Sequence, residues 1–417
     1  MPKPIAAERV ASIMLSWHSL EVISCRNLQS LWAGYGHICE VTVRATTNAA
    51  ASRMRRICRH DTQKSDDPAD TFALILKLIS PPPIAPGSKD EGHLRKMMSY
   101  EVEQYFYSTL APRLDSDVPM AHCITTTQDM SGKPGAELLK GLTATIMTDL
   151  RPQYPVAGEK RSELNETQVY STLDWLSTFH RSTWSLLPTD LPELLLPPLE
   201  EAARRQKGDR SGKAMWLNGG YTYLATRRKE YASLAHDRDS EWSSSLCKPT
   251  GPGGPSTAEM VANVLTPRNR EVETYIHGDV KSENLFTTKT GNEVAFFDFQ
   301  YIGLGLGVCD LAKLFTCSVP LDMLTDDGDA MPDELSMDKG EKSLLERYHS
   351  KLLTGTEKVY EWDTFVRQWE TALVDWLRFQ ASWGFWGNTD WLEARVRSIM
   401  KDQSWRDWLK EQQGLIK

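Results

Sequence analysis

Tyr275-Ile276-His277-Gly278-Asp279-Val280-Lys281-Ser282-Glu283-Asn284-Leu285-Phe286, followed by Val294-Ala295-Phe296-Phe297-Asp298-Phe299-Gln300, is the stretch that decides how this chain reads. Moving a phosphate from a nucleotide needs few parts: a carboxylate to orient and deprotonate the acceptor hydroxyl, oxygen ligands for Mg2+, and a lysine to neutralise the phosphates. Asp279 is placed to be the base, and Lys281, two residues on, falls where it can meet the transferring phosphoryl group. Asn284, five residues after Asp279, can bind metal from the same loop. The apolar run before Asp298 reads as a strand that puts this metal-binding carboxylate at its end, 19 residues after Asp279. Singly, each residue has a plainer use, since an Asp after Gly is commonly a turn residue and an Asn commonly caps a loop. The joint spacing carries the signal.

On the N-terminal side, Cys39, Val41 and Val43 alternate with Glu40 and Thr42, the period of a half-buried strand over residues 37–44, and residues 28–31 suggest a strand before it. Ala33-Gly34-Tyr35-Gly36 lies between the two. A polar, basic stretch from Ala45 to Asp70, with Arg53, Arg55, Arg56 and Arg59, reads as a long loop or insertion. Thr71 to Ile79 is an apolar strand carrying one lysine, Lys77, and three prolines stop it. Residues 97–110 have helical periodicity and residues 143–147 those of a strand, with residues 148–152 as a connector. Helices are expected at 163–183, 213–236, 343–353 and 363–383, with a Pro/Gly/Ser surface loop at 249–256. A strand-rich first third ahead of a helical remainder predicts an α+β fold with two lobes.

The 417 residues allow two cores; 40% are apolar and 25% charged, an ordinary globular composition. A formal charge of −8 argues against holding nucleic acid by bulk electrostatics. The seven cysteines show no metal-knuckle spacing and no disulfide framework, which suits reduced thiols inside the cell. The N-terminus has no signal-peptide pattern and no stretch approaches the ~20 apolar residues of a membrane span. The expectation is a soluble, cytoplasmic protein.

On these motifs the chain resembles the aminoglycoside phosphotransferase and choline kinase group, closest to its choline-kinase-like, ecdysteroid-kinase-like branch. His277-Gly278-Asp279 with Asn284 is similar to the group's catalytic loop, and Asp298 to its metal-binding aspartate. Asp310, in Gly307-Val308-Cys309-Asp310-Leu311-Ala312, matches the aspartate that braces that loop, with His277 also a structural support. The segment 100–107 resembles the first-lobe helix, with Glu103 where the lysine's partner falls. The resemblance implies a bilobal protein-kinase-like fold, with a nucleotide-binding lobe at 1–148 and a catalytic and acceptor lobe at 149–417. It implies ATP and Mg2+ as cofactors and a small-molecule hydroxyl acceptor. Lys77 would contact the nucleotide phosphates and pair with Glu103, Gly34 and Gly36 would cradle them, and the connector through Met147 and Asp149 would hold the adenine edge by its backbone. The glycine loop departs from the pattern in having only two glycines, and a plain hairpin turn is its other reading.

A protein kinase is the first rival. Gly278 stands where such enzymes carry arginine, and only 12 residues separate Asp298 from Asp310, too few for a peptide-binding activation segment. A catalytically silent nucleotide-binding scaffold is the second, although base, metal ligands and lysine are all present. The acceptor stays open among choline, ethanolamine, a sterol, an aminoglycoside and a secondary metabolite. Trp362, Trp369, Trp376 and Trp383 recur every seven residues along one helix face, either as a cation–π cage or as packed core. Glu370 and Asp375 are acidic residues that could face a cationic acceptor, or simply solvent. His180 reads as a packing residue.

Overall fold

In the first part of the chain, alternation of apolar and polar residues becomes a five-stranded antiparallel sheet in the order β1-β2-β3-β5-β4. The strands are β1 (Leu20–Ser30), β2 (Gly36–Ala45), β3 (Thr71–Ile79), β4 (Cys123–Thr126) and β5 (Thr143–Thr148). The computed structural model describes residues 5–58, 71–82, 90–208, 214–326 and 330–414. Cys39, Val41 and Val43 of β2 lie opposite Leu76, Leu74 and Phe72 of β3, and all six are buried in one core. β1 is much longer than the four residues the sequence suggested; it is an edge strand whose residues are mostly exposed, so burial imposes no alternation on it.

Two helices of this unit lie outside the sequence reading. α1 (Ala7–Ser16) buries Val10, Ala11, Ile13, Met14 and Leu15 against the sheet core. α2 (Asn48–Cys58) occupies part of the stretch expected to be a loop. Its Ala49-Ala50-Ala51 run favours helix, Thr47 Oγ1 accepts from the Ala50 N–H at 3.2 Å, and Ala50, Ala51 and Met54 form its buried face. The remainder of the insertion, with Arg59, lies outside the described residues. α3 (Glu91–Tyr105) is capped by Asp90 and runs into a π-helical turn at Phe106–Leu110.

The second unit is mainly helical. After β6 (Val156–Ala157) come α4 (Glu166–Thr183), α5 (Pro198–Gln206), α6 (Arg228–His236), α7 (Glu241–Cys247) and α8 (Thr257–Leu265). The helix expected at 213–236 is only α6 at its end, because Gly219-Gly220 breaks it and Gly220 sits at φ 92°. β7 (Thr274–Ile276), β8 (Leu285–Thr287), β9 (Val294–Phe296) and β10 (Gly303–Gly305) make two small sheets. α9 (Val308–Ser318), α10 (Lys339–Leu353), α11 (Trp362–Trp383), α12 (Thr389–Lys401) and α13 (Gln403–Glu411) complete the chain. By contacts, one unit is Met1–Arg113 with Met120–Gln153, and the other Leu114–Pro119 with Tyr154–Lys417. This is an α+β, bilobal kinase-like fold. Among the described residues no helix is long and apolar enough to cross a membrane.

Candidate functional site

β7 is anchored by its pairing with β10, Ile276 opposite Gly303, and the chain then turns sharply through His277 and Gly278. Gly278 has φ 80°, and a Cβ there would lie 2.4 Å from Gly220 N and 2.5 Å from Tyr301 O, so only glycine fits. Asp310, in the first turn of α9, fixes the turn: the His277 N–H donates to its Oδ2 at 2.7 Å and the Gly278 N–H to its Oδ1 at 2.9 Å. His180 Nε2 also contacts Oδ2, at 3.2 Å, and the Tyr348 hydroxyl holds Nδ1 at 2.7 Å. Burial opposes ionisation of Asp310, but the His180 contact and the backbone donors outweigh it and hold the carboxyl below its ordinary range. The Asp279 N–H donates to His277 Nδ1 at 3.2 Å, so Nε2 carries the ring proton and donates it to Phe297 O at 3.0 Å. Burial keeps this imidazole neutral by lowering its pKa.

Asp279 is only 6% exposed, and its two oxygens differ. Oδ2 accepts from Asn284 Nδ2 at 3.0 Å and faces Lys281 Nζ at 3.3 Å. Oδ1 has the ammonium of Lys313 3.5 Å away but no hydrogen bond, an acceptor buried and unfilled. Burial works against the charge; Lys313, then Lys281, outweigh it and hold the carboxyl below its ordinary range. Lys281 also pairs with Glu283 at 2.8 Å.

Lys313 was absent from the sequence reading. It stands one turn after Asp310 on α9, donates to Gly278 O at 2.6 Å, and is itself buried. The signal available was its spacing: residues three apart on a helix share a face, so a brace at 310 puts position 313 beside the same loop.

Asn284 and Asp298 are brought together by the β8–β9 hairpin, in which Leu285 lies opposite Phe296 and the Phe297 N–H donates to Asn284 O at 3.0 Å. Asp298 sits in the left-handed region at φ 65°, ψ 54°, and the Gln300 amide donates to its Oδ1. With the Asn284 amide nitrogen turned to Asp279, its oxygen is the atom left for a metal.

The remaining candidates lie in the sheet unit. Lys77 of β3 and Glu103 of α3 form a buried ion pair at 2.6 Å. Gly34 and Gly36 lie at the β1–β2 turn, and Gly36 has a structural reason of its own: at φ 150° its Cβ would be 2.1 Å from Leu78 O of the neighbouring strand. Met147 is a buried residue of β5. The Asp149 carboxylate is taken by Arg151, whose Nη2 lies 2.6 Å from it and 2.8 Å from Glu40, so this side chain serves the connector's own shape.

α11 divides the tryptophan series. Trp369 is fully buried with Nε1 donating to Glu341 at 2.8 Å, Trp376 borders Lys313 at 5.3 Å, and Trp383 is 57% exposed. Glu370 and Asp375 are each held by an arginine, Arg367 at 2.9 Å and Arg378 at 2.8 Å. A cavity of about 210 Å³ beside α6 and α8 is bordered by Asp375 but by none of the residues around Asp279.

No curated protein matches the sequence at a significant level. Among solved structures the chain is similar to a macrolide 2'-phosphotransferase from Brachybacterium faecium, at 12% identity over 97% of each chain with a TM-score of 0.40. It is also similar to a choline kinase from Streptococcus pneumoniae, at 11% identity over 97% of each chain with a TM-score of 0.38. A choline kinase from Cryptosporidium parvum Iowa II covers 95% of this chain and is itself covered over 90%, at 11% identity and a TM-score of 0.39. The model of one family matches residues 47–334, a span that holds Lys77, Glu103, the 277–284 loop, Asp298, Asp310 and Lys313, and the chain belongs to that family, the ecdysteroid kinase-like family.

Proposed function

We propose that this chain is an ATP-dependent phosphotransferase that phosphorylates a hydroxyl of a small molecule. The observation that carries the reading is Asp279 Oδ1, a buried carboxylate oxygen with no hydrogen bond, in a carboxyl whose other oxygen is fixed by Asn284 and Lys281. A general base must offer a free lone pair to the proton it takes, and must be held still while doing so. Asp279 Oδ1 accepts the hydroxyl proton as the acceptor oxygen bonds to the γ-phosphorus; the bond from that phosphorus to the β-phosphate oxygen breaks, and ADP leaves. Lys281 neutralises charge on the group in transit, and Lys77, held by Glu103, does so on the nucleotide phosphates. His277 stays out of proton transfer, since both its ring nitrogens are engaged by the loop backbone.

Asn284 and Asp298 supply one amide and one carboxylate oxygen. This small, hard donor set fits Mg2+, which takes its remaining ligands from phosphates and water. When bound, the ion neutralises phosphate charge. The segment between Asp298 and Asp310 supports a small acceptor: Ile302, Leu304 and Leu306 are buried, so it offers no exposed platform for a peptide.

The test is ATP consumption with a panel of hydroxylated metabolites. Asp279→Asn should lower turnover by ~10²–10⁴-fold with little change in nucleotide affinity. Unchanged turnover in that variant would remove Asp279 from the chemistry.

A further inference from the structure

The two oxygens of Asp279 are treated unequally by their surroundings. Oδ2 has the Asn284 amide at 3.0 Å and the Lys281 ammonium at 3.3 Å, whereas Oδ1 is buried and takes no hydrogen bond. Stripping water from a carboxylate oxygen and returning no donor is costly, and a side chain free to turn would relieve it. A donor stands 3.5 Å away in Lys313, yet it does not bond. The partners of Lys313 account for this. Its Nζ donates to Gly278 O at 2.6 Å, and it lies 4.3 Å from the Tyr221 ring centre and 5.3 Å from that of Trp376. A carbonyl and two aromatic faces are all favourable for ammonium protons, so the group is satisfied without giving one to Oδ1. Tyr221 is fixed in turn, against Tyr301 at 4.8 Å and edge-on to Phe379 at 5.9 Å. Burial lowers the Lys313 pKa, and the charge of Asp279 opposes that fall. With Asp310 taking the Gly278 N–H at 2.9 Å, α9 grips Gly278 at both its N–H and its carbonyl.

We propose that Lys313 is the positioning residue of Asp279: it balances the carboxylate's charge from the Oδ1 side while the Gly278 carbonyl and the Tyr221 ring hold its protons, so that Oδ1 keeps an unused lone pair. The proposal rests on the reading above, in that Oδ1 is the oxygen that takes the acceptor's proton. Without Lys313 the carboxylate has charged and amide partners on one side only, and it turns until both oxygens are bonded. Without the Tyr221 ring, Lys313 closes onto Oδ1 and occupies the lone pair itself. Either change removes the free acceptor that proton transfer needs, and neither touches the groups assigned to the nucleotide.

Two measurements on the full chain test it. The first is a double-mutant cycle on phosphoryl transfer to an acceptor taken from the metabolite panel. Lys313→Met, which keeps length and removes charge, should lower kcat on the order of 10–10²-fold at an unchanged KM for Mg·ATP, and by less than ~2-fold in the Asp279→Asn background, because it acts through Asp279. Equal losses in the two backgrounds, or a raised KM with kcat unchanged, would overturn the assignment. The second measurement needs no turnover and consists of crystal structures of Lys313→Met and Tyr221→Leu. In Lys313→Met the Asp279 carboxylate should be turned, with both oxygens hydrogen-bonded. In Tyr221→Leu, which keeps every charge, Lys313 Nζ should stand within hydrogen-bond distance of Oδ1. A carboxylate left in place with Oδ1 bare in either variant would overturn the assignment. Should Lys313→Met fail to fold, Tyr221→Leu takes its place in the cycle and decides both measurements. If the wild type transfers phosphate to no acceptor, the proposed reaction falls, and the crystal structures still decide the alignment.

Discussion

Gly278 concentrates two demands on one residue: a left-handed backbone at φ 80°, and space for no side chain beyond hydrogen. An added methyl would push into Gly220 N and Tyr301 O, both backbone atoms that move only with their segments. Strain alone costs about 1–3 kcal/mol. Displacement of the loop would also pull the His277 and Gly278 amides off Asp310. Gly278→Ala should therefore lose at least that much stability in chemical denaturation and lose turnover with it. A variant as stable and active as wild type would mean the loop's position is not set here. Asp279 depends on the same turn, since Asn284 and Lys281 reach it only if the chain reverses at Gly278.

Between elements, two contacts decide more than their number suggests. His18 follows α1 and accepts a hydrogen bond on Nδ1 from Arg53 of α2 at 3.2 Å. Burial first, then Arg53 and Lys133, lower its pKa from 6.5 to about 4. Its contribution is whole above pH ~6.5, is lost as pH falls toward 4, and changes no further below that, because the unfolded chain binds the proton more readily. His18→Gln should flatten the fall in unfolding temperature between pH 7 and 5; an unaltered fall would place the acid sensitivity elsewhere. In the helical unit, Glu341 of α10 accepts from Trp369 of α11 at 2.8 Å and pairs with Arg395 of α12 at 2.7 Å, all three buried. Removing the carboxylate leaves a buried guanidinium uncompensated, so Glu341→Ala should cost about 3–5 kcal/mol in urea unfolding. A loss below 1 kcal/mol would show that Arg395 finds other partners. Neither contact was legible beforehand. α2 was hidden because its arginines outweigh a three-residue alanine run in a reading for polarity, although the Ala50–Met54 spacing was there. The overlong helix at 213–236 came from weighing apolar content above the Gly219-Gly220 pair.

Over the whole molecule, the most legible part was the one in which chemistry restricts residue type and spacing together. Asp279, Asn284 and Asp298 stand out in the sequence because the roles proposed for them, a base and two oxygen ligands, tolerate few alternatives, and the fold sets Asp279 against Asn284 and Asn284 on the hairpin that leads to Asp298. Alternation in β2 and the apolar run of β3 told of the sheet because both strands bury a face against the same core. Lys313 was not legible: a lysine in a helix is ordinarily solvated, and only the folding of α9 against the Gly278 loop buries it. The tryptophan series could not be assigned for a related reason, since one helix carries Trp369 into the core and Trp383 to the surface. Ligand linkage tests the metal assignment at this scale, because anything bound by the folded state alone raises its stability, by about 2.7 kcal/mol at a concentration 100-fold above Kd. Mg·ATP should raise the unfolding temperature, and EDTA should remove the part that depends on metal. Asp298→Asn keeps the shape and tolerates the left-handed backbone while deleting the charge, so it should unfold near the wild-type temperature without ligand and lose the Mg2+-dependent rise. Asp279→Asn should keep that rise, since the role proposed for Asp279 is toward the acceptor and not the metal. An undiminished rise in Asp298→Asn would take this residue out of the metal site, and loss of the rise in Asp279→Asn alone would exchange the two assignments.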